Sequence, residues 1–292
     1  MGVSKIPRSC GTHNGTFHAD EVTACALLSL FDLIDIEKIV RTRSPQVLDT
    51  CEYVCDVGGI YDPSLKLFDH HQVDYDGSFS SAGMVLLYLK SIGKITPKEY
   101  DAFNAAIVLG VDAHDNGKDL QVHGLCTYSH IVSNFTPINH EVDPECQDEA
   151  FFEALQFAKG HLSRFWRRQR YIHSCREVVE HVMLSKNVCL MFDNSIPWMD
   201  SFFDMDGLHH PAKFVIMPSG KHWKLRGIPP NSDDRMKVRM PLPLEWAGLL
   251  EGELKQATGI SGAIFCHKGR FISVWESKED AVKALELVMK KG

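Results

Sequence analysis

Four short stretches of this chain carry acids and histidines just after, or at the end of, an apolar run. That arrangement constrains the fold more than any other feature. The plainest is Lys66-Leu67-Phe68-Asp69-His70-His71-Gln72, apolar and then abruptly one carboxylate and two imidazoles. The others are His13…His18-Ala19-Asp20, Asp56-Val57-Gly58-Gly59 and Asp112-Ala113-His114-Asp115-Asn116-Gly117. A strand that ends this way delivers polar side chains to the sheet edge where open α/β sheets bind ligands. One such cluster is ordinary, since a histidine is more often a surface or hydrogen-bonded structural residue. Asn116-Gly117 is equally a common turn signal. Four clusters, each at an element end, point to one metal-binding edge.

The rhythm around them is β and α in alternation, which predicts a mostly parallel sheet flanked by helices. Strands are expected over residues 9–13, 38–41, 52–57 and 65–68, with a helix over 22–31 opened by Asp20 and Glu21. Further helices are expected over 81–91 and 99–110, the second ending at the Asp112 cluster. A long one over 147–183 carries apolar residues at helical spacing. After Lys186 the pattern changes to short β-rich runs at 188–192, 213–217, 222–226, 263–266 and 271–275, with helices at 245–257 and 278–290. The expected organisation is therefore an α/β domain over 1–183 and a smaller α+β domain over 186–292, which suits a length of 292 residues.

Composition narrows the partners. A net charge of −7 argues against a general DNA coat, and a cluster of metal-binding carboxylates would itself inflate the negative count. The nine cysteines lack zinc-type spacing and read as reduced, mostly buried thiols of an intracellular protein, cytoplasmic by default. No run approaches the roughly 18 apolar residues of a membrane span. The first motif begins by Cys10, leaving no expected room for a signal or transit segment.

A two-ion site needs several carboxylates, one of them shared, and mixed imidazole–carboxylate sets favour manganese, iron, cobalt or zinc. Asp56, ending a central strand before two glycines, suits the shared position. Asp69 is expected to orient His70 from behind, as carboxylates do for metal-bound imidazoles. Arg164, Arg167, Arg168 and Arg170 form a basic run that reads either as a solvated helix face or as a phosphate track. Arg226, Arg239, His267 and Arg270 are candidates for gripping substrate phosphates. Trp223 and Trp246 could stack on bases, with buried core the stronger expectation.

The order His…Asp, Asp, Asp-His-His, Asp resembles the DHH phosphoesterase superfamily. The opening Gly11-Thr12-His13-Asn14-Gly15-Thr16-Phe17-His18-Ala19-Asp20-Glu21 resembles one branch of it, the melanocyte-proliferating-gene exonuclease family. So do Arg41-Thr42-Arg43, Ser80-Ser81-Ala82-Gly83 and Pro241-Leu242-Pro243-Leu244-Glu245-Trp246. The resemblance implies a metal-dependent 3′→5′ RNA exonuclease acting on single-stranded RNA or short oligonucleotides, found in nuclei and mitochondria where members carry targeting segments. It implies two divalent ions, manganese first, with magnesium, cobalt or zinc as alternatives, and a hydroxide between them as nucleophile. His13, His18 and Asp56 would hold one ion; Asp20, Asp56, His70 and Asp112 the other. His71 would face the substrate phosphate, with Asp69 and Asp115 behind the ligands. His18 stands where the wider superfamily has an Asp, which leaves the metal open. Two other readings stay beside this one: a phosphohydrolase of pyrophosphate or short dinucleotides, and a non-catalytic nucleotide-binding module. Oligomeric state is left open.

Overall fold

The computed structural model describes residues 4–119, 122–139 and 143–291. The chain divides into two compact units, Met1–Gln169 and Arg170–Gly292. The division falls inside the long helix, rather than at its end near residues 183–186.

The first unit is built on a five-stranded sheet in the order β2-β1-β3-β5-β4. Strand β1 (Ile6–Thr12) leads through helix α1 (Ala19–Leu30) to β2 (Ile39–Arg41) on one side. After the short α2 (Pro45–Leu48), β3 (Cys51–Cys55) pairs with β1 on its other side. Both pairings of β1 are parallel, as is that of β3 with β5 (Leu67–Phe68); only the edge strand β4 (Tyr61–Asp62) runs antiparallel. The order reverses between β1 and β3, so the crevice beyond their carboxyl ends lies at a topological switch point.

Helix α1 is buried from Ala19 through Ser29. A helix apolar on every face belongs inside a core, and this one packs against β3 and against α3 (Ser81–Ser91), α5 (Leu109–Asp115) and α6 (Tyr128–Ser133). Phe17, Phe68, Phe103 and Phe151 fill the same core. Helix α4 (Pro97–Phe103) is capped by Thr96, whose hydroxyl accepts from Glu99 N–H at 3.2 Å. It does not stop before Asp112. A π-helical segment, Asn104–Val108, carries it into α5, so Asp112 and Asp115 sit one turn apart on a helix, not in a loop. Helix α7 (Pro144–Ser174) is broken at Cys175 from α8 (Arg176–Met183).

The second unit holds a sheet in the order β6-β7-β8-β10-β9. Strands β6 (Cys189–Met191) and β7 (Phe214–Ser219) are parallel. The pairings among β7, β8 (His222–Gly227), β9 (Ala263–Cys266) and β10 (Ile272–Trp275) are antiparallel. Trp246 and Trp275 meet edge to face at 5.8 Å in a core closed by α10 (Glu251–Thr258) and α11 (Lys278–Lys291). The expected helix over 245–257 is split, because Gly248 adopts φ +79° between a 3-10 turn at Leu244–Trp246 and α10. Helix α9 (Met199–Asp204), only six residues long, escaped the sequence pattern. Among the described residues no helix is long and apolar enough to cross a membrane.

Candidate metal centre

Three neighbouring strands of the first sheet end in the residues singled out above. β1 runs into His13, β3 into Asp56, and β5 into Asp69-His70-His71. Parallel pairing brings these three exits to the same edge. Asp56 leaves its strand with φ +57°, a left-handed conformation that Asp tolerates at a cost of roughly 1–2 kcal/mol. The turn sets its carboxylate between the histidines. Oδ2 lies 3.3 Å from His13 Nε2, while Oδ1 lies 3.5 Å from His70 Nε2 and 3.4 Å from His71 Nδ1. His13, His18, Glu21 and Asp56 offer ligand atoms all within 4.8 Å of one another, as do Asp56, His70 and His71, and Asp20, His70 and Asp115. Asp56 and His70 each belong to two of these groups, which makes the site one continuous double cluster.

A helix N-terminus holds the carboxylates from behind. Asp20 is fully buried at the start of α1, and its oxygens accept from Ser80 Oγ at 2.5 Å, Ser81 N–H at 2.9 Å and Ala82 N–H at 2.6 Å. Asp112 accepts through Oδ1 from Ser80 N–H at 3.0 Å and Gly83 N–H at 3.1 Å, and lies 2.7 Å from Ser80 Oγ, whose single proton serves Asp20 or Asp112 at any one time. The free N–H groups at the start of α3 and their positive dipole end thus serve two carboxylates. Gly83 is required there, since a Cβ would stand 2.4 Å from Asp112 Oδ2.

Asp112 stands next to Asp20, with Ser80 Oγ between them. One turn on along the continued helix, Asp115 brings Oδ2 to 3.0 Å from His70 Nε2. Asp69 meets a different partner from the one expected. Its Oδ1 meets His71 Nδ1 at 2.8 Å and accepts from His71 N–H at 3.1 Å, and its Oδ2 accepts from Gly59 N–H, so it orients His71 and the glycine turn rather than His70. Glu21 was read only as a first-turn acid. It is fully buried beside His13 at 3.0 Å, and both its oxygens accept from His18 N–H. The signal was its spacing of three from His18, which is that of a capping box.

The electrostatics call for cations. Burial would lower His13, but the carboxylates of Asp56 and Glu21 outweigh it and raise the imidazole to about 10. His70 is likewise raised to about 10, burial opposing and Asp115 and Asp56 prevailing. Burial opposes ionisation of Asp56 too, yet His13 and His70 bring it down to about 2. Asp20 is pushed well up by burial and then by the charges of Asp56 and Asp115. His70 Nε2 and Asp56 Oδ1 are buried and lack a hydrogen-bond partner. A divalent cation could replace the imidazole protons among these carboxylates, and the mixed donor set fits manganese, iron, cobalt or zinc.

The cluster opens into a cavity of about 880 Å³ lined by Asn14, Gly15, Thr16, Arg43, Gly58, Gly59, His114 and the ligand histidines. His71, its side chain 63% exposed, stands at this opening. Arg41 and Arg43 divide the labour of their strand end. Arg41 is buried, bonded to Asp148 Oδ1 at 2.6 Å and Gly15 O at 2.5 Å, and stacked on Phe151. Arg43 is exposed on the cavity wall. Sequence reading missed Arg43 as a site residue, although its alternation with Arg41 across β2 and its exit was the available signal.

The arginines expected to meet substrate have the following surroundings. Arg164, Arg167, Arg168 and Arg170 are exposed on α7. In the second unit Arg239 donates to the carbonyls of Pro229, His210, Ala212 and Gly207, which occupies its guanidinium structurally. Arg226 and Arg270 each donate to one carbonyl, of Arg235 and Leu242, and His267 Nδ1 accepts from Gly269 N–H. Trp246 is core, and Trp223 carries Lys278 over its face at 5.4 Å.

The first unit is an open α/β sheet whose strand ends gather imidazoles and carboxylates around a cavity, a set of side chains that could hold divalent cations. The family model described as Uncharacterised protein family (UPF0160), the MYG1 exonuclease family, matches residues 9–289, and the chain belongs to that family. It is 53% identical over 287 residues to the MYG1 protein of Chlamydia trachomatis serovar D, covering 98% of each chain. It is 30% identical over 331 residues to the human protein named MYG1 exonuclease, covering 94% of this chain and 84% of that one. A loose structural likeness, TM-score 0.28 at 12% identity, links it to manganese-bound RecJ of Thermus thermophilus, covering 97% of this chain and 52% of that one.

Proposed function

We propose that this chain is a metal-dependent phosphodiesterase of the exonuclease kind, removing nucleotides from the 3′ end of single-stranded RNA. The observation that carries the reading is Asp56, a buried carboxylate lying between His13 and His70 and belonging to two ligand groups at once. His13, His18, Asp56 and Glu21 would hold one divalent ion; Asp56, His70, Asp115 and Asp20 the other, with manganese the first choice. When bound, such ions supply Lewis acidity, acidifying water and drawing charge from a phosphoryl group.

The chain's own residues do the rest. The α3 N-terminus fixes Asp20, so its orientation needs no adjustment on binding. Asp69 holds His71 through Nδ1, and that exposed imidazole contacts the scissile phosphate and stabilises its developing charge. Arg43, on the cavity wall, grips a neighbouring phosphate through its planar fork. The name of the human relative supports the exonuclease reading.

The test is RNA labelled at its 5′ end and incubated with manganese. The expected outcome is progressive shortening from the 3′ end, with a rate at low substrate that falls as salt rises. A second reading has one observation in its favour: a cavity of about 880 Å³ is of a size that encloses a small ligand. If the RNA stays intact while a dinucleotide or pyrophosphate is cleaved, the small-molecule reading replaces the first.

A further inference from the structure

Beside the double cluster, on the helical flank of the first unit, stands a third group of metal-competent side chains. His114 leaves the last turn of α5, Asp119 follows that helix, and His130 lies in the first turn of α6. Their ligand atoms all lie within 4.8 Å of one another. His114 Nδ1 and Asp119 Oδ2 are 3.0 Å apart, and the rings of His114 and His130 meet edge to face at 5.4 Å. All three side chains are partly exposed, so solvent can complete a coordination shell.

We propose that His114, Asp119 and His130 form a separate zinc-class site that clamps the end of α5 to the start of α6.

Four features point this way. The set is two imidazoles and one carboxylate, a three-ligand group of the kind that leaves a further position to water. That chemistry favours zinc, nickel or copper over the harder magnesium or calcium. His130 is oriented from behind: its Nδ1 meets Thr127 Oγ1 at 3.0 Å, which leaves Nε2 uncommitted, and an oriented ring with one free nitrogen is typical of a metal-bound imidazole. Thr127 is itself fixed as the α6 cap, its hydroxyl accepting from His130 N–H at 3.2 Å.

The third feature is economy of partners. His114 is the one ionic partner of Asp119 among the described salt bridges. The carboxylate is thus aimed at an imidazole, with no lysine or arginine paired to it among those bridges. The fourth is position. His114 lines the central cavity, and its neighbour Asp115 is the residue that faces His70. A cation tying His114 to α6 would fix the helix end that carries Asp115. The inference goes beyond the phosphodiesterase reading and does not rest on it.

The experiment uses the full chain, saturated with manganese and then titrated with zinc by calorimetry, with total metal counted on the recovered protein. Wild type is expected to take up one zinc per chain beyond its manganese complement and to gain several degrees in melting temperature. His130→Gln and Asp119→Asn should each lose that extra equivalent and the thermal gain, while keeping the manganese content of wild type. Two variants guard against one that folds poorly. Asp56→Asn, aimed at the central cluster, should retain the extra zinc, so failure of the central site is distinguishable from failure of this one. Cobalt in place of zinc gives a visible absorption band that the same two variants should abolish. If total metal does not rise above the manganese complement, or the extra zinc persists in both triad variants, the proposal is wrong.

Discussion

The two five-stranded sheets of this chain differ in pairing, and the difference decides where chemistry can sit. In the first, parallel pairing of β1, β3 and β5 aligns three carboxyl ends, so His13, Asp56 and His70 emerge side by side. In the second, antiparallel pairing of β7, β8, β10 and β9 sends successive ends to opposite edges. Its most capable cation, Arg239, is drawn inward to four carbonyls. One sheet gathers imidazoles and carboxylates at an edge; the other uses its polar groups to stabilise itself. Polar substitutions should therefore abolish activity in the first unit and cost stability in the second.

The largest expected effect is at Asp56. Asp56→Asn should lower phosphodiester hydrolysis by more than the ~10–100-fold typical of residues that only support a ligand, because it alters both ligand groups. Asp69→Asn, acting through His71, should fall within that ~10–100-fold range in kcat. An Asp69→Asn loss as large as that of Asp56→Asn would erase the distinction between ligand and support.

Arg239→Ala tests the other sheet. Leaving several carbonyls without donors should destabilise the chain by roughly 2 kcal/mol in denaturant unfolding, with manganese content unchanged. Full stability with weakened RNA binding would instead return Arg239 to the substrate. Arg43→Ala should do the converse, raising KM for RNA several-fold at nearly constant stability and manganese content.

A further expected effect is a pH dependence confined to the metal-free protein. His13 and His70 are raised from their ordinary value of 6.5 to about 10 in the fold. Their contribution to stability is therefore complete below about pH 6.5 and is lost as pH climbs toward 10. Ions must displace these protons, so metal uptake should release protons and strengthen over the same interval. Melting curves of stripped protein and calorimetry in buffers of different ionisation enthalpy read both.

Much of the first unit was legible in the sequence, because its apolar runs stop at the clustered acids and histidines themselves: Phe68 is followed by Asp69-His70-His71 and Cys55 by Asp56. Local patterns could not foresee which face a helical residue would take. Asp112 and Asp115 look alike in sequence, and the passage of the π segment into α5 stacks them one turn apart, Asp112 against the start of α3 and Asp115 against His70. The role of Ser80-Ser81-Ala82-Gly83 was equally hidden, since backbone N–H groups leave no trace in residue type beyond the glycine that Asp112 requires. The exchange of Asp69 from His70 to His71 has the same origin, a turn geometry set by Gly58 and Gly59 at positive φ.

The central claim is that one carboxylate serves two cations. Electron paramagnetic resonance of the manganese-loaded chain tests it directly, because two ions sharing a ligand give an exchange-coupled spectrum that isolated ions do not. Wild type should show the coupled pair, and Asp56→Asn should lose it together with most of the bound manganese. A wild-type spectrum of isolated ions, or a coupled pair that survives in Asp56→Asn, would contradict the account.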